Sequence, residues 1–255
     1  MRRPAAYLST LAAALVLMVA APAPAAATWS IIAVDTNTGL VVIASATCVT
    51  GEGLRSRGGL MSIQAVIVPG VGVAAAQAGV DGTRANQTLI YEQMRAGTDP
   101  DVILDMLSTD PDFQRRQFGI VDLQGRMAGF SGSGNGHAAL AVQSEIRGEG
   151  IYFAVQGNIL ENNDVVLEAV PAIMETEGTV TDRVMAGMEA ARRAGGDARC
   201  NCRGDAVPET ERRCTQRTAH VAYIAAALPE DPVGEGDSDG EYSLFIDVDN
   251  ETTEA

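Results

Sequence analysis

The sequence predicts an α+β domain built on antiparallel sheets, and three observations carry that expectation. Strand-forming segments open the chain after residue 27, recur in its middle and close it. Helical segments come in two pairs between those strand groups rather than singly. Strands and helices therefore do not alternate one for one, as a doubly wound parallel sheet would require.

Residues 28–34 and 40–48 are rich in β-branched and apolar side chains. Asp35-Thr-Asn-Thr-Gly39 between them is turn chemistry, so the pair reads as a β-hairpin. A Gly/Arg loop is expected over 51–59, then a second strand pair, 63–68 and 71–77, about Pro69-Gly70. The spacing of Leu89, Ile90 and Met94 predicts a helix over 83–96. Val102, Ile103, Met106 and Leu107 predict another over 101–107, with Asp99-Pro100 at its start. Residues 117–122 and 126–131 read as a hairpin about Gln124-Gly125, and 151–156 as a further strand. Helices are expected over 164–177 and 181–194, the second stopped by Gly195-Gly196, and strands over 218–228 and 242–248.

Ahead of this domain, Arg2 and Arg3 precede an apolar run, 8–21, and small residues follow as Pro22-Ala-Pro-Ala-Ala-Ala27. That is the pattern of a cleaved signal peptide over 1–27, with Ala25-x-Ala27 placing the cut before Thr28. A cut after Ala25 or Ala26 also fits. The apolar run falls short of the ~20 residues that a spanning helix needs. The expected location is secreted or periplasmic. Residues 28–255 suffice for a single domain.

All 18 basic residues are Arg and none is Lys, against 33 acidic ones, for a net charge of -15. This balance argues against nucleic acid or an anionic membrane as a partner. Without lysine, Schiff-base chemistry and Ser-Lys dyads are excluded. Four cysteines in an exported chain favour disulfides over zinc, since neither His137 nor His220 stands at a usual zinc spacing. The expected bridge joins Cys214 to Cys200 or Cys202 within a polar insertion, 199–217, leaving Cys48 as a strand residue in the core.

Several motifs have plain readings. Gly132-Ser-Gly-Asn-Gly136 lacks the Lys-Ser/Thr and the helix of a phosphate loop. Asp237-Ser-Asp-Gly-Glu241 lacks the spaced ligands and distal Glu of a calcium loop and reads as a solvated hairpin tip. No metal or cofactor is implied. Neither histidine has an evident Ser or Cys nucleophile beside it in the sequence. Thr28 is different, because as a first residue it would carry a hydroxyl nucleophile and a free amine together. An α-amino group titrates near ~7.7 to 8, so part of it is neutral at neutral pH and can accept the hydroxyl proton. Thr is also a common residue to follow a signal peptide by chance.

Thr28-Trp-Ser-Ile-Ile-Ala-Val-Asp35, Gly39 with its apolar strand, Ala75-Ala-Gln-Ala78, Gln117-Phe-Gly-Ile-Val-Asp122, Val155-Gln-Gly-Asn-Ile-Leu160 and Ala194-Gly-Gly-Asp197 together resemble the DUF1028 family. That family is grouped with the N-terminal nucleophile (Ntn) hydrolases. The resemblance spans nearly all of 28–255. It implies a four-layer αββα sandwich and makes Thr28 the expected nucleophile. Some members carry peptidoglycan-binding modules, which suggests cell-wall amides as substrates, although the family's reaction is not established. The 200–214 segment departs from the family pattern as an insertion, and an appended binding domain is not expected.

The resulting expectation is an exported amidohydrolase that acts on a small-molecule or peptide amide, with peptidoglycan-derived amides as one candidate. Thr28 is the nucleophile, and Asn158 with the Gly157 backbone holds the oxyanion. A structural turn at Gln156-Gly157-Asn158 is the other reading. Gln77 orients substrate or ties a loop. Arg55 and Arg57 lower the pKa of the amine or bind a substrate carboxylate, unless they only solvate their loop. No membrane contact is expected after signal removal, and a homo-oligomer is compatible with the sequence. The rival reading is a non-catalytic exported binding protein on the same scaffold.

Overall fold

The structure, a computed structural model, describes residues 28–201 and 217–249. The expected signal segment, Cys202 and Cys214 lie outside them. The chain opens with the expected hairpin, β1 (Thr28–Asp35) against β2 (Val41–Thr47). Its turn closes as the sequence dictates: the Asp35 carboxylate accepts from the Asn37 N–H and the Thr38 hydroxyl, and Gly39 supplies a φ of +77°.

The expected loop over 51–59 is partly helical, as α1 (Gly51–Arg55) and α2 (Gly59–Gln64). Thr50 caps the first, and Leu60 and Ile63 bury one face of the second, so β3 begins two residues late (Ala65–Val68). It pairs with β4 (Gly72–Ala78). Helices α3 (Ala85–Arg95) and α4 (Pro100–Leu107) follow, the latter capped by Asp99 with Pro100 in its first turn. Next come β5 (Arg116–Asp122), β6 (Met127–Ser131), β7 (Leu140–Ile146) and β8 (Ile151–Asn158). The sequence reading lacked β7, a half-buried edge strand without clean alternation. The single helix expected over 164–177 is two, α5 (Asp164–Leu167) and α6 (Ala169–Glu175). Pro171 has no N–H for a helical bond and is tolerated only in a first turn, so a new helix starts just before it. A capping box between Thr179 and Asp182 begins α7 (Val180–Arg193), and β9 (Val221–Ala227) and β10 (Leu244–Asp249) complete the chain.

The fold class is α+β, with two antiparallel sheets among the described residues. One has six strands in the order β10-β9-β2-β1-β8-β7, and the other four in the order β3-β4-β5-β6. Alternation along β1 sorts its side chains. Trp29, Ile31 and Ala33 join Val165, Ile173, Val184 and Ala191 of α5 to α7 in one hydrophobic cluster. Ile32 and Val34 meet Ala65, Ile67, Val73 and Val121 of the second sheet in another. A third lies on the far side of that sheet, where Ile90, Met94, Ile103 and Leu107 of α3 and α4 cover Val66, Ala74, Phe118 and Ile120. Ile31 and Ile32 are both essentially inaccessible, and full burial of such a side chain stabilises by about 1.5–3 kcal/mol. Gly187 lets α7 lie on β1, since a Cβ there would stand 2.7 Å from Ile31 Cδ1 and from Ile173 Cγ1. Among the described residues, no helix is long and apolar enough to cross a membrane.

At one end of β5, Arg116 Nε donates to Asp110 Oδ2 at 2.8 Å and Asn86 Nδ2 donates to the same oxygen at 2.7 Å. Burial opposes ionisation of Asp110 and of nearby Asp81, but hydrogen bonds to each, with Arg116 close by, outweigh it and hold both carboxyls below the ordinary value of 3.8. Both therefore stabilise the fold above that value, and their contribution is lost as pH falls through the lower folded values. We expect the urea midpoint to drop on acidification from about pH 5 toward pH 3, and to drop less in Asp110→Asn. An identical pH dependence in the variant would remove the cluster from this account.

Candidate functional site

Thr28 starts β1, a strand with neighbours on both sides, and its cross-strand partners are Thr47 of β2 and Asn158 of β8. One pair further along, Ser30 stands between Ser45 and Gln156. Alternation puts all six side chains on the face that, from Ile32 onward, packs against the other sheet. From that opposite sheet come Gln77 of β4 and Gln117 of β5, and Gln64 arrives from the end of α2. None of these nine residues is more than 4% exposed. The space between the sheets is thus apolar along most of its length and polar at the Thr28 end.

A buried polar group without a partner costs about 1–3 kcal/mol, so such a row must be cross-linked. Ser30 Oγ donates to Gln77 Oε1 at 2.6 Å, and Gln77 Nε2 donates to the Thr28 carbonyl at 3.1 Å and to Gln117 Oε1 at 2.8 Å. Gln117 Nε2 donates to the Gly157 carbonyl at 2.8 Å and to Ser131 Oγ at 2.9 Å. The single Ser45 Oγ proton is shared between the Trp29 carbonyl at 3.0 Å and Gln64 Oε1 at 3.2 Å. Two glutamines therefore stitch the sheets together through the backbone on either side of the Thr28 row. The residues just after Gln77 and Asn158 are strained, with Ala78 at φ +73° and Ile159 at +50°. For a β-branched residue that region is a genuine outlier, worth about 1–3 kcal/mol, and such strain clusters at functional sites.

A second group reaches the row from beyond α7. Gly195 and Gly196, at φ +121° and +62°, turn the chain, and a Cβ on Gly196 would stand 2.9 Å from the Trp29 ring. Asp197 then bridges to Leu160 and is fully buried. Its carboxylate accepts from the Cys48 N–H at 2.8 Å, from Arg199 Nε at 3.1 Å and from Arg199 Nη2 at 2.8 Å. The same Nη2 lies 3.5 Å from Thr47 Oγ1. Thr47 Oγ1 also accepts from the Val49 N–H at 3.2 Å and stands 3.3 Å from Thr28 Oγ1. A disulfide joins Cys48 to Cys200 across 152 residues, with Cα atoms 5.9 Å apart.

The pairing of Cys200 rules out one of the two expected bridges, Cys200 to Cys214, and corrects the reading of Cys48 as merely a core residue, while the other, Cys202 to Cys214, lies outside the described residues. The cause is tertiary, because the Asp197 bond to the Cys48 amide carries the 197–201 segment to the end of β2. Of the expected site residues, Thr28 and Asn158 stand side by side. Gly157 is opposite Trp29, its carbonyl taken by Gln117. Gln77 is buried in the network rather than open to solvent. Arg55 and Arg57 are exposed and not brought to Thr28: Arg55 pairs with Asp249 on β10, three strand spacings or roughly 14 Å from β1. Among the described residues, Arg199 is a cation that does reach the row. Thr47, Gln117, Asp197 and Arg199 escaped the sequence reading. The available signal was polar residues at inward positions of otherwise apolar strands, together with the Ala194-Gly-Gly-Asp197 motif. Among the described residues, no group of three His, Cys, Asp or Glu could hold a metal ion.

The model of a family of unknown function, DUF1028, matches residues 28–207. The chain belongs to the DUF1028 family. A crystal structure of a DUF1028 protein from Silicibacter pomeroyi is similar at a TM-score of 0.62 and 21% identity, covering 89% of this chain and 82% of that one. At that identity the likeness shows the fold alone. No curated protein matches.

In this DUF1028 protein the disulfide closes a long loop, and its loss should cost about 2–5 kcal/mol. Non-reducing peptide mapping should recover Cys48 linked to Cys200, and Cys48→Ala should lower the urea midpoint accordingly. Free thiols at both positions in freshly isolated protein would refute the pairing.

Proposed function

We propose that this protein is an exported N-terminal nucleophile hydrolase that cleaves an amide bond, with Thr28 as both nucleophile and base. One observation carries the reading: Thr28 is the first residue of an interior strand, and its hydroxyl faces the space between two sheets among fixed polar groups. The family match opening on residue 28 supports a mature chain that begins there. The three hydrophobic clusters divide helices, sheet, sheet and helices, the order a four-layer αββα sandwich requires. A disulfide is in keeping with a secreted or periplasmic location.

Signal removal exposes the Thr28 α-amine. The neutral amine takes the hydroxyl proton as Oγ bonds to the substrate carbonyl carbon. Asn158, beside Thr28 across the β1/β8 pair, is the candidate donor to the oxyanion, and Gln117 fixes its neighbour Gly157 by the carbonyl. Collapse breaks the C–N bond, and the ammonium returns the proton to the leaving amine. Water then hydrolyses the Thr28 ester, releasing the acid and restoring the hydroxyl. Peptidoglycan-derived peptides are the first substrates to try.

The test combines mass spectrometry of the mature N-terminus with amine release from murein peptides and N-acyl amino acids. Thr28 should be the first residue, Thr28→Ser should retain turnover, and Thr28→Ala should lose ~10³-fold or more. Equal turnover by wild type and Thr28→Ala would overturn the mechanism. No turnover by any form, on a chain correctly processed to Thr28, would favour a non-catalytic binding protein.

A further inference from the structure

The point at which β1 begins is fixed by what lies ahead of it in the sheet. Antiparallel strands exchange backbone bonds at every second pair. Between β1 and β2 the Asp35 N–H donates to the Leu40 carbonyl, so counting back along the register puts bonded pairs at 29 with 46 and, one step past Thr28, at 27 with 48. The Cys48 N–H is therefore the donor that a carbonyl of residue 27 would need. It is taken by the Asp197 carboxylate at 2.8 Å. Between β1 and β8 the Thr36 N–H donates to the Gly150 carbonyl, and the same count puts bonded pairs at 28 with 158 and next at 26 with 160. Leu160 pairs instead with Asp197, with the Glu161 N–H on the Gly196 carbonyl and the Ala198 N–H on the Ile159 carbonyl. We infer that Asp197 is the stop that defines the first residue of β1: it takes the sheet positions that residues 26 and 27 would need, so any residue ahead of Thr28 must leave the sheet or displace Asp197. This rests on the reading of Thr28 as the mature first residue and not on its being a nucleophile.

The local construction fits this role. Strands β2 and β8 flank β1 and so stand two strand spacings apart, roughly 9–10 Å. Asp197 crosses that gap with its backbone against Leu160 and its carboxylate against Cys48. Gly195 and Gly196, both at positive φ, turn the chain out of α7 to bring it there. A buried carboxylate is costly unless it is paired, and the Arg199 amide, Nε and Nη2 all donate to this one. The disulfide from Cys48 to Cys200 closes the clamp. A residue 27 kept in the ladder would have to expel the Asp197 carboxylate and carry Arg199 away with it. One kept outside the ladder has to bend sharply at Thr28, which is held between Thr47 and Asn158. Either course costs stability.

The test compares the thermal midpoints of wild type and Asp197→Ala, both disulfide-bonded, and each released from a fusion so as to begin at Thr28 or to keep Ala26-Ala27 ahead of it. In wild type the extension should lower the midpoint by roughly 2–8 °C. In Asp197→Ala the place beside Cys48 is open, the residue 27 carbonyl can take the Cys48 N–H, and the same extension should leave the midpoint unchanged or raise it. Loss of the carboxylate beside Arg199 lowers both Asp197→Ala chains alike and cancels in the comparison. An extension effect of the same size and sign in both backgrounds, or none in wild type, would overturn the inference. A second measurement needs no variant. The chain has no lysine, so in a protein that begins at Thr28 the α-amine is the one primary amine, and an N-hydroxysuccinimide ester reports on it alone. With the sheet positions ahead of it filled, that amine should be acylated at least ~10-fold more slowly in the native protein than in urea. Equal rates would overturn the inference even where Asp197→Ala does not fold. Neither readout depends on turnover, so a hydrolase without the stop and a stop without hydrolysis are told apart.

Discussion

The two-faced burial of β1 is the constraint on which the other features depend. Its odd-numbered side chains are committed to the helices α5 to α7 and its even-numbered ones to the space between the sheets, and neither set can be exchanged. A slip of one residue would drive Trp29 and Ile31 between the sheets and turn Thr28 and Ser30 toward the helices. Pairing with β2 on one side and β8 on the other holds the register, and the same pairing brings Thr47 and Asn158 to Thr28. Core and candidate site are two ends of one strand face.

That continuity has an energetic consequence. A row of buried hydroxyls and amides is costly wherever a partner is missing, and at the Thr28 end the two sheets meet through Gln77 and Gln117 rather than through aliphatic side chains. Each glutamine donates to a backbone carbonyl across the gap, Gln77 to Thr28 and Gln117 to Gly157, and the two are bonded to each other within their own sheet. The arrangement favours rigidity, since moving either sheet breaks several bonds at once. Strain at Ala78 and Ile159, immediately after Gln77 and Asn158, shows the backbone bent out of its preferred region where those side chains must be placed.

Local chemistry that acts within a few residues was legible in the sequence. The Asp35 to Gly39 turn, the Asp99-Pro100 helix start and the Gly195-Gly196 stop all stand where their residue types require. The failures share a cause. Helix α2 is hidden by glycines and revealed only by the burial of Leu60 and Ile63, and β7 exists because β8 offers it an edge. Pro171 divides a helix whose apolar spacing reads as continuous. In the site, Thr28 and Asn158 could be named in advance from their strand positions. Arg55 and Arg57 are the nearest cations to the first hairpin along the chain, whereas among the described residues it is Arg199 that is brought to the row in space.

By itself the sequence determined the antiparallel α+β class, the hairpin that presents Thr28 and the exclusion of lysine chemistry, because turn residues, side-chain periodicity and composition act over short stretches of chain. Only the tertiary structure decided that Cys48 pairs with Cys200, that Gln77 and Gln117 join the sheets, and that Asp197 delivers Arg199 to Thr47. These contacts span from 40 to 152 residues. Loop closure over such distances is set by the packing of whole sheets and helices, which no local pattern encodes.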